Sequence, residues 1–343
     1  MTPRVMVCFG TRPEVIKVAS TVSELSRRHI PFTTVLTGQH DELFQDVKEL
    51  IPPPDFDLGI MEENQSPARI LAQVATQFPP LLEKWQPDLV VVQGDTSTAM
   101  AVALVSFYEK VRVGHIEAGL RTYDPWAPFP EEVNRQVISR VAHVHWAPTQ
   151  WALENLTREG MENALLTGNT VVDVCRKFHF PVRYGEKVVI TLHRRENFGE
   201  RMESMFRQIE TLARGHPELE FVFPMHPNPE VQRLRHLLEK TAVIKPLKYG
   251  EFLHLLSEAR FVITDSGGIQ EECAAFRKKV LVCRERTERP EGVEAGFARV
   301  VGTRIEENFP WANDDPEWKG DNPFGDGKAA ERIVASILHL LET

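Results

Sequence analysis

Two doubly wound α/β halves are what this sequence of 343 residues predicts, on three observations. Short, unbroken apolar runs alternate with helical patterns along most of the chain, as parallel strands covered on both faces should. The same alternation restarts after Thr167-Gly168-Asn169. The length, finally, suits two domains of ~100 to 200 residues each.

Taken in order, Val5 to Phe9, Phe32 to Leu36, Leu89 to Val92, Val111 to Val113 and His143 to Trp146 read as strands. Helical patterns over Glu14 to Arg28, Pro67 to Lys84 and Thr98 to Tyr108 separate them. In the second half the strands are Val188 to Leu192, Phe221 to Pro224, Ala242 to Ile244, Phe261 to Thr264 and Val280 to Val282. Arg176 to Lys187 mixes aromatic, Pro, Gly and charged residues and reads as the linker. The predicted domains are therefore 1–175 and 176–343, with the last helix assigned to the second domain or packed back on the first. No sequence repeat relates the halves. Two such domains are expected to face a cleft, outside the carboxyl ends of their strands, where a ligand binds.

Composition narrows the function classes. With 42% hydrophobic residues and no run approaching the ~18 to 20 apolar residues of a membrane span, neither a disordered nor a membrane chain is expected. A net charge of -9 excludes a global basic field for nucleic acid or anionic lipid, so an anionic ligand needs a local cluster. Cys8, Cys175, Cys273 and Cys283 form no C-x-x-C pair, and the histidines lack close ligand spacing, so no metal is expected. The N-terminal apolar run is too short for a signal peptide, and a reducing cytoplasm is the expected compartment.

The polar residues fall where the strands end. Gly10-Thr11-Arg12-Pro13-Glu14 follows the first strand: Arg12 offers a fork of donors to a phosphate at a helix start, or is the solvated Arg of an ordinary turn. It is not G-x-G-x-x-G, so no nicotinamide cofactor is expected. Asp265-Ser266-Gly267-Gly268, followed by Glu271 and Glu272, is the strongest anion signal. It offers backbone amides and a hydroxyl to phosphate and a carboxylate to a ribose, although Asp265 or Ser266 serves equally as a cap. Asp95, Glu117 and Glu131, the last in a Pro-rich loop, are the acids that proton transfer on a sugar requires, each also readable as a cap or solvated loop acid. His193 and His226 stand at strand ends in the second half. Arg284 to Glu291 reads as a solvated loop.

These readings lead to a nucleotide-sugar or nucleotide-phosphate enzyme. The ordered motifs go further. G-T-R-P-E (10–14), G-D-T (94–96), G-H-I-E-A-G-L-R-T (114–122), P-E-E-V-N-R (130–135), T-G-N-T-V-V-D (167–173), H-R-R-E-N (193–197), H-P-N-P-E-V (226–231), T-D-S-G-G-I-Q-E-E (264–272), T-E-R-P-E (287–291) and N-P-F-G-D-G (322–327) together closely resemble the non-hydrolysing UDP-N-acetylglucosamine 2-epimerases over nearly the whole chain.

The resemblance implies a glycosyltransferase-B-like pair of Rossmann-like domains, a homodimer, and reversible conversion of UDP-GlcNAc to UDP-ManNAc without a cofactor, serving cell-envelope polysaccharide synthesis. By motif it assigns catalysis to Asp95, Glu117, Glu131 and His193. It assigns the phosphates to Arg12, His193, Ser266, Gly267 and Gly268, the ribose to Glu272 and the uracil to Phe252. Lys17 and Arg289 become further substrate-binding residues, although Lys17 also fits an ordinary helix surface. Competing readings are a glycosyltransferase-B transferase, a hydrolysing epimerase, and a nucleotide-sugar sensor without turnover. The sequence departs from the resembled pattern at Ala127, Arg277, Lys279, Gly292 and Phe297, where Ser, Gly, Pro, Ala and Thr are common. In the segment tied to effector binding, Gln39-His40 is kept, but Glu42 and Gln73 replace Gln and Arg, so weak or absent activation by UDP-GlcNAc is expected.

Overall fold

In a computed structural model of the protein, residues 4–38, 47, 49–60 and 65–342 are described. Their contacts divide the chain into a first unit, Met1–Val174 with Phe324–Thr343, and a second, Cys175–Pro323. The final segment thus belongs with the first unit rather than the second. Of the effector-segment residues, Gln39, His40 and Glu42 lie outside the described residues.

The strands, in chain order, are β1 Val5–Phe9, β2 Phe32–Leu36, β3 Phe56–Asp57, β4 Leu89–Gln93, β5 Arg112–Ile116, β6 Val144–Ala147, β7 Ala164–Leu166, β8 Lys187–Thr191, β9 Glu220–Pro224, β10 Ala242–Ile244, β11 Ala259–Thr264, β12 Val280–Val282 and β13 Ala298–Val300. The described helices are α1 Arg12–Arg27, α2 Pro67–Gln77, α3 Pro79–Trp85, α4 Ser97–Tyr108, α5 Glu131–Val141, α6 Gln150–Arg158, α7 Thr170–Lys177, α8 Glu200–Gly215, α9 Pro229–Gln232, α10 Tyr249–Glu258, α11 Gly267–Ala275, α12 Pro290–Glu294, α13 Ile305–Asn313 and α14 Ala329–Glu342.

Among the described residues each unit carries one sheet, and every pairing between its strands is parallel. The strand order is β3-β2-β1-β4-β5-β6-β7 in the first unit and β10-β9-β8-β11-β12-β13 in the second. The second order repeats the first six positions of the first, a topological repeat with no counterpart in sequence. In such a sheet the chain reverses its winding between the first and fourth strands of the unit, and the diverging loops leave room for a ligand at the carboxyl ends. That switch point lies at β1/β4 in the first unit and at β8/β11 in the second.

Helix cover on both faces explains why the strands read as apolar runs: β1 and β4 are buried at every residue. Met6, Val90, Val92 and Val102 belong to the first unit's core, and Phe206, Phe221, Phe223 and Phe261 to the second's. Each such side chain stabilises its unit by ~1.5 to 3 kcal/mol relative to exposure.

Three sequence readings change. The helix expected over Pro67 to Lys84 is two, because Pro79 and Pro80 supply no backbone N–H and a new helix starts at Pro79. The strand expected at Val111 to Val113 runs on to Ile116. His115 is fully buried there, and a Cβ on Gly114 would lie 2.5 Å from the Trp146 ring, so both loop-like residues serve the sheet. Glu131 sits on the first turn of α5 rather than in a loop. The short strands β3, β7 and β13 are not among those the apolar runs predict.

Two departures from the resembled pattern prove to be one. A Cβ on Gly292 would lie 2.9 Å from Phe297 Cζ. Phe297 is fully buried and packs on Trp318 with ring centroids 4.7 Å apart. The larger ring at 297 therefore requires the smaller residue at 292. Arg277 takes φ 56°, a left-handed conformation that the glycine common there adopts without penalty. Gly292→Ala should lower the melting temperature by the equivalent of ~1 to 3 kcal/mol, and Phe297→Thr should relieve most of that added loss. Thermal melts of the two single variants and the double variant check this, and strict additivity would contradict it.

Candidate functional site

In the first unit the loops flanking the switch point are held by a short polar network. Glu14, on the first turn of α1, accepts Gly10 N–H at 3.1 Å and the Thr96 hydroxyl at 2.9 Å. It ties the loop bearing Arg12 to the loop bearing Asp95. Burial pushes the Glu14 pKa up to about 7, even though hydrogen bonds from Thr11, Thr96 and Gly10 all favour the charged form. His115 Nε2 lies 2.7 Å from Gly94 O. Burial pushes the His115 pKa down to about 3, so the ring is neutral and Nε2 carries the proton that Gly94 O accepts. Two core groups thus hold the backbone on which Asp95 stands.

The acids are gathered by α5. Asn134 donates to Asp95 O at 2.8 Å, and Arg135 Nε lies 3.5 Å from the Asp95 carboxylate and 3.4 Å from Glu131 O. Arg135 Nη2 faces Glu132 at 3.5 Å. The P-E-E-V-N-R motif is therefore a bracket: its first acid is Glu131, and its Asn and Arg, at helical spacing, reach back to the Asp95 loop. Glu131 Oε2 is buried and has no hydrogen-bond partner among the described residues.

Glu117 follows β5 with φ 65°, an uncommon conformation for a residue with a side chain. Its carboxylate forms a buried ion pair with Lys17 on α1 and accepts from Asn169 Nδ2 at 3.3 Å. Lys17 is thus a buried partner of an acid rather than a surface lysine. Arg12 opens α1, and its Nε is buried without a hydrogen-bond partner among the described residues.

The second unit shows the same logic with different residues. Asp265, fully buried after β11, accepts His193 N–H at 3.0 Å, Arg194 N–H at 2.9 Å and Asn197 Nδ2 at 3.0 Å. It thus braces the loop after β8 rather than capping α11. Its carboxylate lies 3.7 Å from His193 Nδ1, and His193 stacks on His226 with ring centroids 5.3 Å apart. Burial lowers the His193 pKa against the pull of Asp265, leaving a neutral ring that can donate to an incoming anion.

Ser266 stands at the N-cap of α11 without making a side-chain cap bond, and Gly267 and Gly268 open the helix. A Cβ on Gly267 would collide with the Arg289 guanidinium. Arg289 is buried, with Nε 2.7 Å from Glu271 and Nη1 2.6 Å from Glu288. Arg284 pairs with Glu288 at 2.6 Å and with Glu196 at 2.8 Å. Burial would raise the Glu288 pKa, but Arg289 and Arg284 pull it down to about 2. Of the segment read as a solvated loop, Glu285 and Arg286 are exposed, but Arg284, Glu288 and Arg289 are buried in an ionic frame at the start of α11. Glu272 accepts the Tyr249 hydroxyl at 2.9 Å, and Phe252 is buried on α10, the helix that begins with Tyr249.

Sequence reasoning missed Glu14, Arg135, Asn169 and Tyr249 as parts of these sites, although all but Tyr249 lie inside the motifs quoted above, and it named Asp265 without its bracing role. Gln73, on α2, is hydrogen-bonded to Gln65. Among the described residues no group of three or more His, Cys, Asp or Glu could hold a metal ion, and no helix is long and apolar enough to cross a membrane.

Comparison with known proteins agrees with this architecture. A family model described as UDP-N-acetylglucosamine 2-epimerase matches residues 23–338. A UDP-N-acetylglucosamine 2-epimerase of Bacillus subtilis is 40% identical, covering 98% of this chain and 95% of its own. The crystal structure of the Neisseria meningitidis UDP-GlcNAc 2-epimerase bound to UDP-GlcNAc is similar with TM-score 0.92 at 36% identity, covering 98% of this chain and 100% of the other. The Methanocaldococcus jannaschii enzyme in complex with UDP-GlcNAc and UDP gives 0.83 at 30%, covering 98% and 99%.

One consequence of the first unit's network is measurable. Because folded Glu14 binds a proton more tightly than its unfolded counterpart, it makes the protein lose stability as pH rises from about 4.5 through about 7. The loss is on the order of 3 kcal/mol. Glu14→Gln removes that slope, so the melting temperature of the wild type should fall relative to the variant between pH 5 and pH 8. Parallel curves would refute the assignment.

Proposed function

The chain belongs to the UDP-N-acetylglucosamine 2-epimerase family, and from that premise we propose that it interconverts UDP-GlcNAc and UDP-ManNAc by elimination and re-addition of UDP. The C2 hydrogen of the sugar is not next to a carbonyl and is only weakly acidic. Departure of the nucleotide makes its removal feasible. A base takes the C2 proton, the electron pair of that C–H bond forms the C1=C2 double bond, and the C1–O pair leaves with UDP, giving 2-acetamidoglucal. Return of UDP to C1, with a proton delivered to the other face of C2, gives the epimer.

The observation that carries this reading is the set of carboxylates in the first unit. Glu117 is buried in an ion pair with Lys17, the Asp95 carboxylate faces Arg135, and Glu131 carries a buried carboxylate oxygen with no hydrogen-bond partner among the described residues. Acids in such different surroundings suit one reaction that needs a base on one face of a carbon and an acid on the other. Lys17 supplies positive charge beside Glu117, Arg12 suits a phosphate, and neither step requires a redox cofactor. In the second unit, the open start of α11 with Ser266, Gly267 and Gly268, together with the neutral His193, suits the diphosphate. Glu272, held by Tyr249, suits the ribose, and Phe252 the uracil. Arg289 serves by bracing Glu271 and Gly267 in place.

Incubation with UDP-GlcNAc in deuterated water, followed by proton NMR, should give UDP-ManNAc with deuterium at C2. Asp95→Asn, Glu117→Gln and Glu131→Gln should each lower the exchange rate by about 10²- to 10⁴-fold. Release of free sugar and UDP as the sole products would overturn the proposal in favour of hydrolysis, and the absence of exchange in the wild type would overturn catalysis altogether.

A further inference from the structure

Among the quoted motifs with no role in the chemistry above are Thr167 to Asp173, and Asn322 to Gly327, from the far end of the chain. In the first unit they are clasped together. Asn169 N–H donates to Phe324 O at 2.7 Å. Gly168 and Gly325, at φ +89° and +112°, approach so closely that a Cβ on Gly325 would lie 3.0 Å from Gly168 Cα. Glycine is required there both for conformation and for space. The Asp173 carboxylate accepts the N–H groups of Ala329 and Ala330 at 3.0 and 3.1 Å, capping α14. Arg332, on that helix, donates to Thr167 O at 3.0 Å and forms a two-pronged pair with Asp326 at 2.7 and 2.8 Å.

The clasp fixes one side chain that reaches the acid site. Asn169 Oδ1 accepts Val171 N–H at 3.0 Å at the start of α7, and this bond decides which way the amide faces. Nδ2 is therefore turned to the Glu117 carboxylate, where it donates to the same oxygen, Oε2, that meets Lys17. Asn169 is itself almost fully buried, so its hydrogen bond is not exchanged with water. Its backbone is held by the segment that returns from the end of the chain.

We propose that Asn169 is a positioning residue for Glu117, and that the returning segment Phe324–Arg332 is a working part of the acid site because it fixes Asn169. This rests on the reading of Glu117 as a catalytic carboxylate. Lys17 alone balances the charge of Glu117 but, as a flexible stem with a point-like head, does not fix the plane of the carboxylate. A directional amide donor anchored at both ends of its side chain does. Misplacement of a reacting group by about 1 Å is enough to cost ~10²-fold in rate.

Asn169→Ser and Asn169→Asp separate this role from that of a helix cap. Ser and Asp cap helices as well as Asn does, so a residue that only caps would tolerate both with wild-type kcat. A positioning role instead predicts a kcat about 10- to 100-fold lower in Asn169→Ser, with KM for UDP-GlcNAc changed less than about threefold. Asn169→Asp should be worse still, because it sets a like charge against Glu117. Rates are expressed per folded enzyme, with near-wild-type melting expected for Asn169→Ser. Wild-type kcat in both variants, alongside an inactive Glu117→Gln, would overturn the positioning role and leave the reading of Glu117 standing. An active Glu117→Gln would overturn both. Losses that merely follow the folded fraction would reduce Asn169 to a structural cap.

Discussion

A carboxylate taken out of water keeps its charge only when fixed groups replace the solvent, and the site of the first unit is built around that requirement at Glu117. Desolvating an ion costs several kcal/mol even after the protein relaxes. Lys17 supplies the compensating charge and Asn169 a directed donor. Meeting the requirement determines much of the surrounding structure. α1 must present Lys17 inward, and β5 must end in a left-handed turn at Glu117. The chain after β7 must bring Asn169 alongside.

The same economy recurs in the second unit, where the scarce resource is the open end of α11. Asp265 spends its carboxylate on the loop bearing His193, and Ser266 makes no side-chain cap bond to α11. The ionic frame of Glu196, Arg284, Glu288, Arg289 and Glu271 then holds that end in place without burying an unbalanced charge. Buried networks of this kind are weak evidence for net stability, since well-packed apolar side chains often do as well. Their value here lies in fixing the position of the glycines that open the helix.

Much of the fold was legible because parallel strands covered on both faces write their burial into consecutive residues. β1, β2, β10 and β12 are found at the bounds their apolar runs predict, and the polar residues that follow β4, β5, β8 and β11 mark the loops at the carboxyl ends. Where a local pattern was absent or ambiguous, the reading failed for identifiable reasons. A single helical periodicity ran across the break at Pro79, and Gly114 and His115 resemble a loop until the Trp146 ring is seen against Gly114 and the Gly94 carbonyl against His115. Arg284 to Glu291 is charged enough to belong in water, and only their pairing shows why Arg284, Glu288 and Arg289 are buried.

What the sequence determined by itself is the succession of elements, the strand ends that carry polar chemistry, and the family whose ordered motifs it shares, because each is encoded in neighbouring residues. Only the tertiary structure decided that α14 returns to the first unit, that Gly292 and Phe297 form one adjustment, that Lys17 turns inward, and that Asn169 reaches Glu117. Those outcomes are contacts between residues far apart in the chain. Such contacts leave no periodicity to read, and the low dielectric of the interior sets their strength only once both partners have arrived.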